Sequence, residues 1–489
     1  MAKKTSPDSY EANRAKSMYV YCRETSCSYP LTRCEPSRDA GEVVSIDMLP
    51  DDVLLAIFDF YLDQAWAEAW QLLVQVCRRW RSVVFGSPRR LKLRLICTPE
   101  TPARDTLDVW PPLPLFIQCY GVYRTEAMDS IVAALEHRDR VRQINLIDVR
   151  DLGWETASAA MEEPFPELTH LHLQSPDEMR TPLPDSFLGG SAPRLRHLWL
   201  NRISFPDLPT LLLSATDLVD LRLRNIPNSG YVLPEAMVPA LAALTSLEEL
   251  WLEFQPPGSP YWPRRLLPSV TRTVLPVLTL LTFKGVSGYL DDLAARIDAP
   301  RVNSLVIAFF DLTVLFAPRF AQFISRTPAL NALNKTRINL GDGIPTVNLS
   351  SQTSGYGEVD VEIPYRNLDW QLLSLRNVCT TCLPPLSTMK CLYIHEKSYS
   401  QRISRNHMDD GIWLEILQAF IALRNIYLSK EVARHIVPFL QQLVGDSLTE
   451  REKCCLTCRI SSWRSSSHPD LPRKGLGNSL LRDSSPVTL

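Results

Sequence analysis

From Leu49 onward the apolar positions Val53, Leu54, Ile57, Phe58, Tyr61 and Leu62 recur at three- and four-residue intervals, the rhythm of one helix face. Pro50 suits the first turn, where its missing N–H costs nothing, and Asp51 and Asp52 fall at the positive end of the helix dipole. A second amphipathic run carries Ala69, Trp70, Leu73, Val76, Cys77, Trp80, Val83 and Val84 on one face and Arg78, Arg79 and Arg81 on the other. Gly86-Ser87-Pro88 stops it. Two or three short helices sharing such a seam form a very small core, which draws stability from a partner or a neighbouring domain.

The period changes at about residue 141. A short motif of apolar, any, apolar then recurs as Ile144-Asn145-Leu146, Leu171-His172-Leu173, Leu198-Trp199-Leu200, Leu221-Arg222-Leu223, Leu250-Trp251-Leu252, Leu281-Thr282-Phe283 and Leu305-Val306-Ile307. Successive copies start 23 to 31 residues apart, and later ones appear at Leu392-Tyr393-Ile394 and Ile426-Tyr427-Leu428. Each motif predicts a strand with its leucines turned inward. Leu208–Leu213, Val238–Leu244 and Leu290–Ile297 between them read as short helices, and Leu368–Leu375 as another. Residues 308–390 lose the rhythm. There Arg337–Leu340 and Val359–Ile363 alternate like strands around a turn at Ser350–Gly357, which predicts an inserted hairpin.

Composition changes this picture little. Net charge is −2, which offers no electrostatic case for nucleic acid or an anionic membrane. No apolar run approaches membrane-spanning length, and the polar start Met-Ala-Lys-Lys-Thr-Ser has no signal-peptide core. An intracellular location, cytoplasmic or nuclear, with the twelve cysteines reduced, is the expectation. Thirty-eight prolines against eighteen glycines favour short, stiff loops.

The pair formed by Leu49-Pro50 with its apolar helix, and Val76-Cys77-Arg78-Arg79-Trp80, resembles the F-box, a helical module that docks proteins onto the Skp-type adaptor of a cullin-RING ubiquitin ligase. The resemblance covers roughly residues 45–90. It implies adaptor contacts from Leu49, Pro50, Val53, Leu54, Ile57, Phe58, Val76, Cys77 and Trp80. The later repeats look like an irregular leucine-rich repeat, and the combination is similar to F-box proteins that basidiomycete fungi carry in large families. The implied fold is a small helical module (44–92), then a linker and first helical segment (93–140), then a leucine-rich-repeat solenoid with a parallel sheet (141–449). A conventional α/β domain is the rival for the last part. Polar tails, disordered or in the second case aberrant, are expected at 1–43 and 450–489. The implied function is a substrate-recognition subunit of an SCF-type ligase, which binds the adaptor, through it a cullin, and a protein target. The alternative is an interaction scaffold outside ubiquitination.

In such a sheet the residue between two inward leucines points outward, and neighbouring strands bring these residues about 4.8 Å apart. The predicted row is Asn145, His172, Trp199, Arg222, Trp251, Thr282 and Val306, with Arg222 placed to stack on both tryptophans. His172, Trp199, Arg222 and Trp251 are therefore the expected target-binding residues, since Trp and Arg dominate interface hot spots. Nothing points to catalysis, a cofactor or a metal. Cys379-Thr380-Thr381-Cys382 and Cys454-Cys455-Leu456-Thr457-Cys458 have Cys-x-x-Cys spacing, but four converging zinc ligands would require the two pairs to meet. Asp51-Asp52 and Asp291-Asp292 are explained by helix starts, and no phosphate loop or nucleophile elbow occurs.

Overall fold

The computed structural model describes residues 46–436 with short interruptions, among them 257–271 and 397–409, and the segments 457–461 and 486–487. The expected N-terminal tail with its cysteines, the apolar stretch 437–443 and most of 450–489 lie outside the described residues. The chain divides into two compact units, Met1–Tyr61 and Leu62–Leu489.

In the first unit a single 3-10 turn, Ile46–Met48, leads into helix α1 (Asp51–Gln64), which runs on past the unit's end. Pro50 lies just ahead of the helix, and its carbonyl accepts from Val53 N at 3.1 Å and Leu54 N at 3.0 Å. A residue without an N–H is well suited to this place, because only its carbonyl is needed.

The second unit starts with α2 (Trp70–Val76) and α3 (Arg78–Gly86). The sequence pattern suggests one continuous helix here, but the structure breaks it at Cys77, which is extended at φ −157°, ψ 170°. The Cys77 sulfur then accepts the Trp80 N–H at 3.5 Å, so this residue caps α3. Trp70 is buried, donates its indole N–H to Arg94 O at 3.0 Å, and meets Trp110 edge-on at 5.2 Å.

The rest of the unit is a mixed helix and strand domain around one large sheet. Its strands begin with β1 (Leu95–Cys97), β2 (Leu115–Tyr120), β3 (Val141–Ile147), β4 (His170–Gln174), β5 (His197–Asn201), β6 (Asp220–Ile226) and β7 (Glu249–Phe254). They continue with β8 (Thr273–Val274), β9 (Leu280–Gly285), β10 (Ile297–Asp298), β11 (Ser304–Phe309), β12 (Lys335–Leu340), β13 (Thr346–Ser350) and β14 (Glu358–Glu362). The last are β15 (Cys391–Glu396), β16 (Asn425–Ser429), β17 (Thr457–Ser461) and β18 (Pro486–Val487). β8 and β10 form a separate parallel pair, and the other sixteen make an open sheet that runs from β1 to β18.

All seven predicted strand motifs from 144 to 307 are strands, paired parallel and adjacent in chain order apart from the separate β8 and β10. Ile144, Leu171, Leu198, Leu221, Leu250, Leu281 and Leu305 are at most 1% exposed, and each contributes about 1.5–3 kcal/mol by burial. Short helices fill the returns: α4 (Met128–Leu135), α5 (Asp151–Ala160), α6 (Leu208–Ser214), α7 (Pro234–Ala243), α8 (Ser287–Arg296), α9 (Pro318–Arg326), α10 (Pro328–Asn331), α11 (Leu368–Thr381) and α12 (Asp410–Gln418). They pack in neighbouring pairs, α4 on α5, α6 on α7, α8 on α9 and α11 on α12. A proline opens α6, α7, α9 and α10, where it removes no helical hydrogen bond. Among the described residues no helix is long and apolar enough to cross a membrane.

Two expectations change. The segment 93–140, expected as a linker and first helical segment, supplies β1 and β2 besides α4, so the sheet starts well before residue 141. The insertion is not a two-stranded hairpin either. β12 and β14 both pair antiparallel with β13, which the sequence reading missed, and the order is β11-β14-β13-β12-β15. Thr346-Val347-Asn348-Leu349-Ser350 alternates as clearly as its neighbours, with Val347 and Leu349 fully buried. Its reversal leaves β14 parallel to β11 and β12 parallel to β15, so the core continues across the insertion.

A side chain of α11 clamps the insertion. Gln371, fully buried, donates to Gly341 O at 3.1 Å and accepts from Gly341 N at 3.3 Å. Gly341 sits at φ 128°, a backbone setting that favours glycine. Replacing Gln371→Leu strips both Gly341 groups of their partner in a buried site, which costs about 1–3 kcal/mol. A thermal melt is expected to show a Tm several degrees lower; an unchanged Tm would mean that the clamp does not hold the insertion.

Candidate interaction surfaces

Along α1 the apolar side chains separate into two sets. Leu54 and Phe58 are buried, whereas Val53, Ile57 and Phe60 are exposed, as are Met48 and Pro50 just before the helix; Leu49 is half-buried. Leu54 and Phe58, expected to face a partner, are closed off from solvent at 0% and 1% exposure. Phe60, at 72% exposed, was not among the expected contacts, since it falls outside the three- and four-residue steps of the apolar stripe. Separately, in the second unit, Val76 is exposed and Cys77 and Trp80 are half-buried. Leu72, one turn before Val76, is exposed as well.

The predicted row on the sheet exists as a register. Asn145 pairs with His172, His172 with Trp199, Trp199 with Arg222, Arg222 with Trp251, Trp251 with Thr282, and Thr282 with Val306. Most of the row is half-buried, while Thr282 is buried at 6% exposure. Arg222 does not stack on both tryptophans. Its guanidinium carbon lies 4.4 Å from the Trp199 ring centroid, while the Trp251 ring carries Arg224 at 4.8 Å. The reason is electrostatic. Arg222 Nε donates to Asp220 Oδ1 at 2.9 Å and its terminal nitrogen donates to Glu249 Oε2 at 2.7 Å, two charge-assisted bonds that outweigh a second ring contact.

Asp220 organises this region. It is buried, and besides Arg222 it accepts the Trp199 indole N–H on Oδ2 at 2.9 Å. His172 packs edge-on to Trp199 at 5.0 Å, and burial holds its imidazole below the usual histidine range. Glu253, also buried, bonds Lys284 at 2.8 Å and Arg224 at 3.4 Å. Every cation of the patch thus has a carboxylate, and tryptophan rings lie among the ion pairs. Alongside runs an amide chain in which Gln174 donates to Asp148, Asn201 to Gln174 and Asn225 to Asn201, which ties β3 through β6 together.

The row continues where the sequence rhythm fails. Val306 pairs with Asp360, Asp360 with Asn348, Asn348 with Arg337, Arg337 with Tyr393, and Tyr393 with Tyr427. The two tyrosines stack at 4.3 Å, with Lys335 over Tyr393 at 4.7 Å. Burial, and then the carboxylates of Glu358 and Glu362 two residues away on either side, push Asp360 from 3.8 to about 6. Tyr393 and Tyr427 stand in repeat motifs read from the sequence, but the row was not carried to them because β12–β14, which link them to Val306, lack the leucine pair that marks the earlier strands.

Cys379 and Cys382 are both buried on or beside the end of α11, and burial pushes the Cys379 thiol up to about 12. Burial thus disfavours the thiolate, the nucleophilic form. Among the described residues no cluster of His, Cys, Asp and Glu has the geometry to hold a metal ion. Cys22, Cys27, Cys34, Cys454 and Cys455 lie outside the described residues.

Among known families, the F-box-like family matches residues 46–89. The chain carries an F-box-like domain there, and F-box domains generally bind Skp-type adaptors. No curated protein matches the chain.

The Asp360 shift has a checkable consequence. Its folded-state pKa is raised, so the protonated form is the one the fold favours; the stability it allows is complete below 3.8 and is lost as pH rises through about 6. Asp360→Asn is expected to raise Tm at pH 7.5 and to leave it unchanged at pH 3.5. An equal or lower Tm at pH 7.5 would show that the carboxylate is not strained by its setting.

Proposed function

We propose that this chain is the substrate-recognition subunit of an SCF-type cullin-RING ubiquitin ligase. The F-box-like match at residues 46–89 carries the reading. Exposed Val53, Ile57 and Phe60 on α1, and exposed Leu72 and Val76 on α2, support it, because an apolar partner surface removes such side chains from water at about 25 cal/mol per Å². Leu49, Pro50, Cys77 and Trp80 complete the adaptor-binding set, and Leu54 and Phe58 seat the helix from the buried side.

The strands and short helices that follow act in this reading as an irregular leucine-rich repeat of the kind that stacks one unit on the next. Its outward row receives a protein target around His172, Trp199, Arg222 and Trp251. The pairing of Arg222 and Arg224 with carboxylates keeps the patch nearly neutral, so the tryptophans contribute apolar area and the ion pairs contribute specificity. The subunit performs no chemistry. It raises the effective concentration of target lysines near the charged conjugating enzyme, in the cytoplasm or nucleus, without a cofactor.

Co-purification from cells tests this. The full chain is expected to recover a Skp-type adaptor together with a cullin. Val53→Asp combined with Ile57→Asp changes only exposed positions, so Tm should hold while recovery of both falls at least tenfold. Leu49→Ala with Pro50→Ala should act in the same direction. Recovery of adaptor without cullin would favour a scaffold outside ubiquitination, and recovery of neither would sink the proposal.

A further inference from the structure

Beyond Val306 the outward face carries cations that the fold does not neutralise. Lys335 and Arg337 stand two residues apart on β12, the first half-buried and the second exposed. Lys390, one residue before β15, and Arg424, one residue before β16, are exposed as well. Among the described residues none of these four forms an ion pair. In the tryptophan patch, by contrast, Arg222, Arg224 and Lys284 each hold a carboxylate.

Register explains the difference. Lys335 and Arg337 face Ser350 and Asn348 across β13, and only beyond those come Glu358 and Asp360 of β14. Two strand spacings amount to about 10 Å, too far for an ion pair. Asn348, in the intervening strand, donates to Glu358. On the other side the same rows hold Cys391 and Tyr393 of β15, and no carboxylate. The face is therefore striped: the acids of β14, the neutral β13, the two cations of β12, then the rings of Tyr393 and Tyr427.

Those rings form a flat platform, stacked at 4.3 Å with planes 6° apart. Lys335 Nζ lies 4.7 Å from the Tyr393 centroid. A ring orients an ammonium without cancelling its charge. Burial, and then the neighbouring Arg337, hold Lys335 below the usual lysine range. An anion set beside the two cations offsets their repulsion.

We propose that an acidic segment of the protein target docks on this face in extended form, with carboxylates on alternate residues meeting Lys335 and Arg337 beside the Tyr393–Tyr427 platform. This deepens the recognition reading by naming the chemistry of the bound segment, and it rests on the outward face of the sheet being the recognition face. Spacing favours such a segment: residues two apart on a strand are about 6.7 Å apart, and so are alternate residues of an extended peptide. A single phosphate would have to draw both cations onto one group against their mutual repulsion. The acids of β14 repel the same segment, which keeps it on the side of β12, β15 and β16, where Lys390 and Arg424 add positive charge.

Anisotropy of a short rhodamine-labelled peptide, with two glutamates separated by one neutral residue, tests this on the full chain at low salt. Binding is expected to weaken as salt is added. Lys335→Gln combined with Arg337→Gln should weaken it about fivefold, the loss of two exposed ion pairs. Tm should hold in that variant, because neither cation has an ion-pair partner within the fold. Replacing both glutamates of the peptide by glutamine should cause the same loss, and the variant should then cause no further one. Equal binding of the two peptides, full binding by the variant, or tighter binding of a peptide with one phosphoserine in place of the glutamate pair would overturn the proposal. Recovery of adaptor and cullin by the same variant should be unchanged, so failure here is separate from failure of the ligase reading.

Discussion

In-register pairing of parallel Leu-x-Leu strands is the constraint on which the rest of this structure depends. Side chains alternate along a strand, so slipping one strand by a residue would turn its leucines out and its polar residues in. The buried row from Ile144 to Leu305 forbids that slip across seven strands. Once the leucines are placed, the residue between each pair has no freedom left in where it stands. His172, Trp199, Arg222 and Trp251 are neighbours because their flanking leucines are.

Position is thus set by burial, but partnership within the row is set by charge. Arg222 stands between two tryptophans and stacks on only one, because Asp220 and Glu249 bind its guanidinium more strongly than a second ring would. Trp251 takes Arg224 instead, from the next outward position on β6. Asp220 is the residue that makes this arrangement specific. It is itself buried, yet it serves an indole, a guanidinium and a nearby imidazole.

What could be read from the sequence follows the same division. The strands β3 to β7, β9 and β11 and the central row were legible, since the leucine rhythm encodes both the strand and its register. The helices at 208–214, 234–243 and 287–296 were legible for a similar reason, as apolar runs between strands. Three features were not. β13 carries only Val347 and Leu349 in a stretch given no element, just ahead of the turn read at Ser350–Gly357, and its antiparallel pairing is a tertiary choice with no local mark. The break at Cys77 interrupts a run whose apolar face is continuous, so the pattern alone cannot reveal it. Asp220 lies outside the central row, and its role depends on which oxygen faces which strand. On α1, the helical rhythm separated apolar from polar but did not tell buried Leu54 and Phe58 from exposed Val53, Ile57 and Phe60.

In the proposed function a docking module at residues 46–89 and a recognition sheet share one chain, with different work for each. Hydrogen exchange of the full-length chain, alone and with a purified Skp-type adaptor, tests it most directly. Slowed exchange is expected in 49–61 and 70–86 on adding the adaptor, with the strands from β3 to β11 unchanged. Protection spread over the strands, or no protection anywhere, would contradict it.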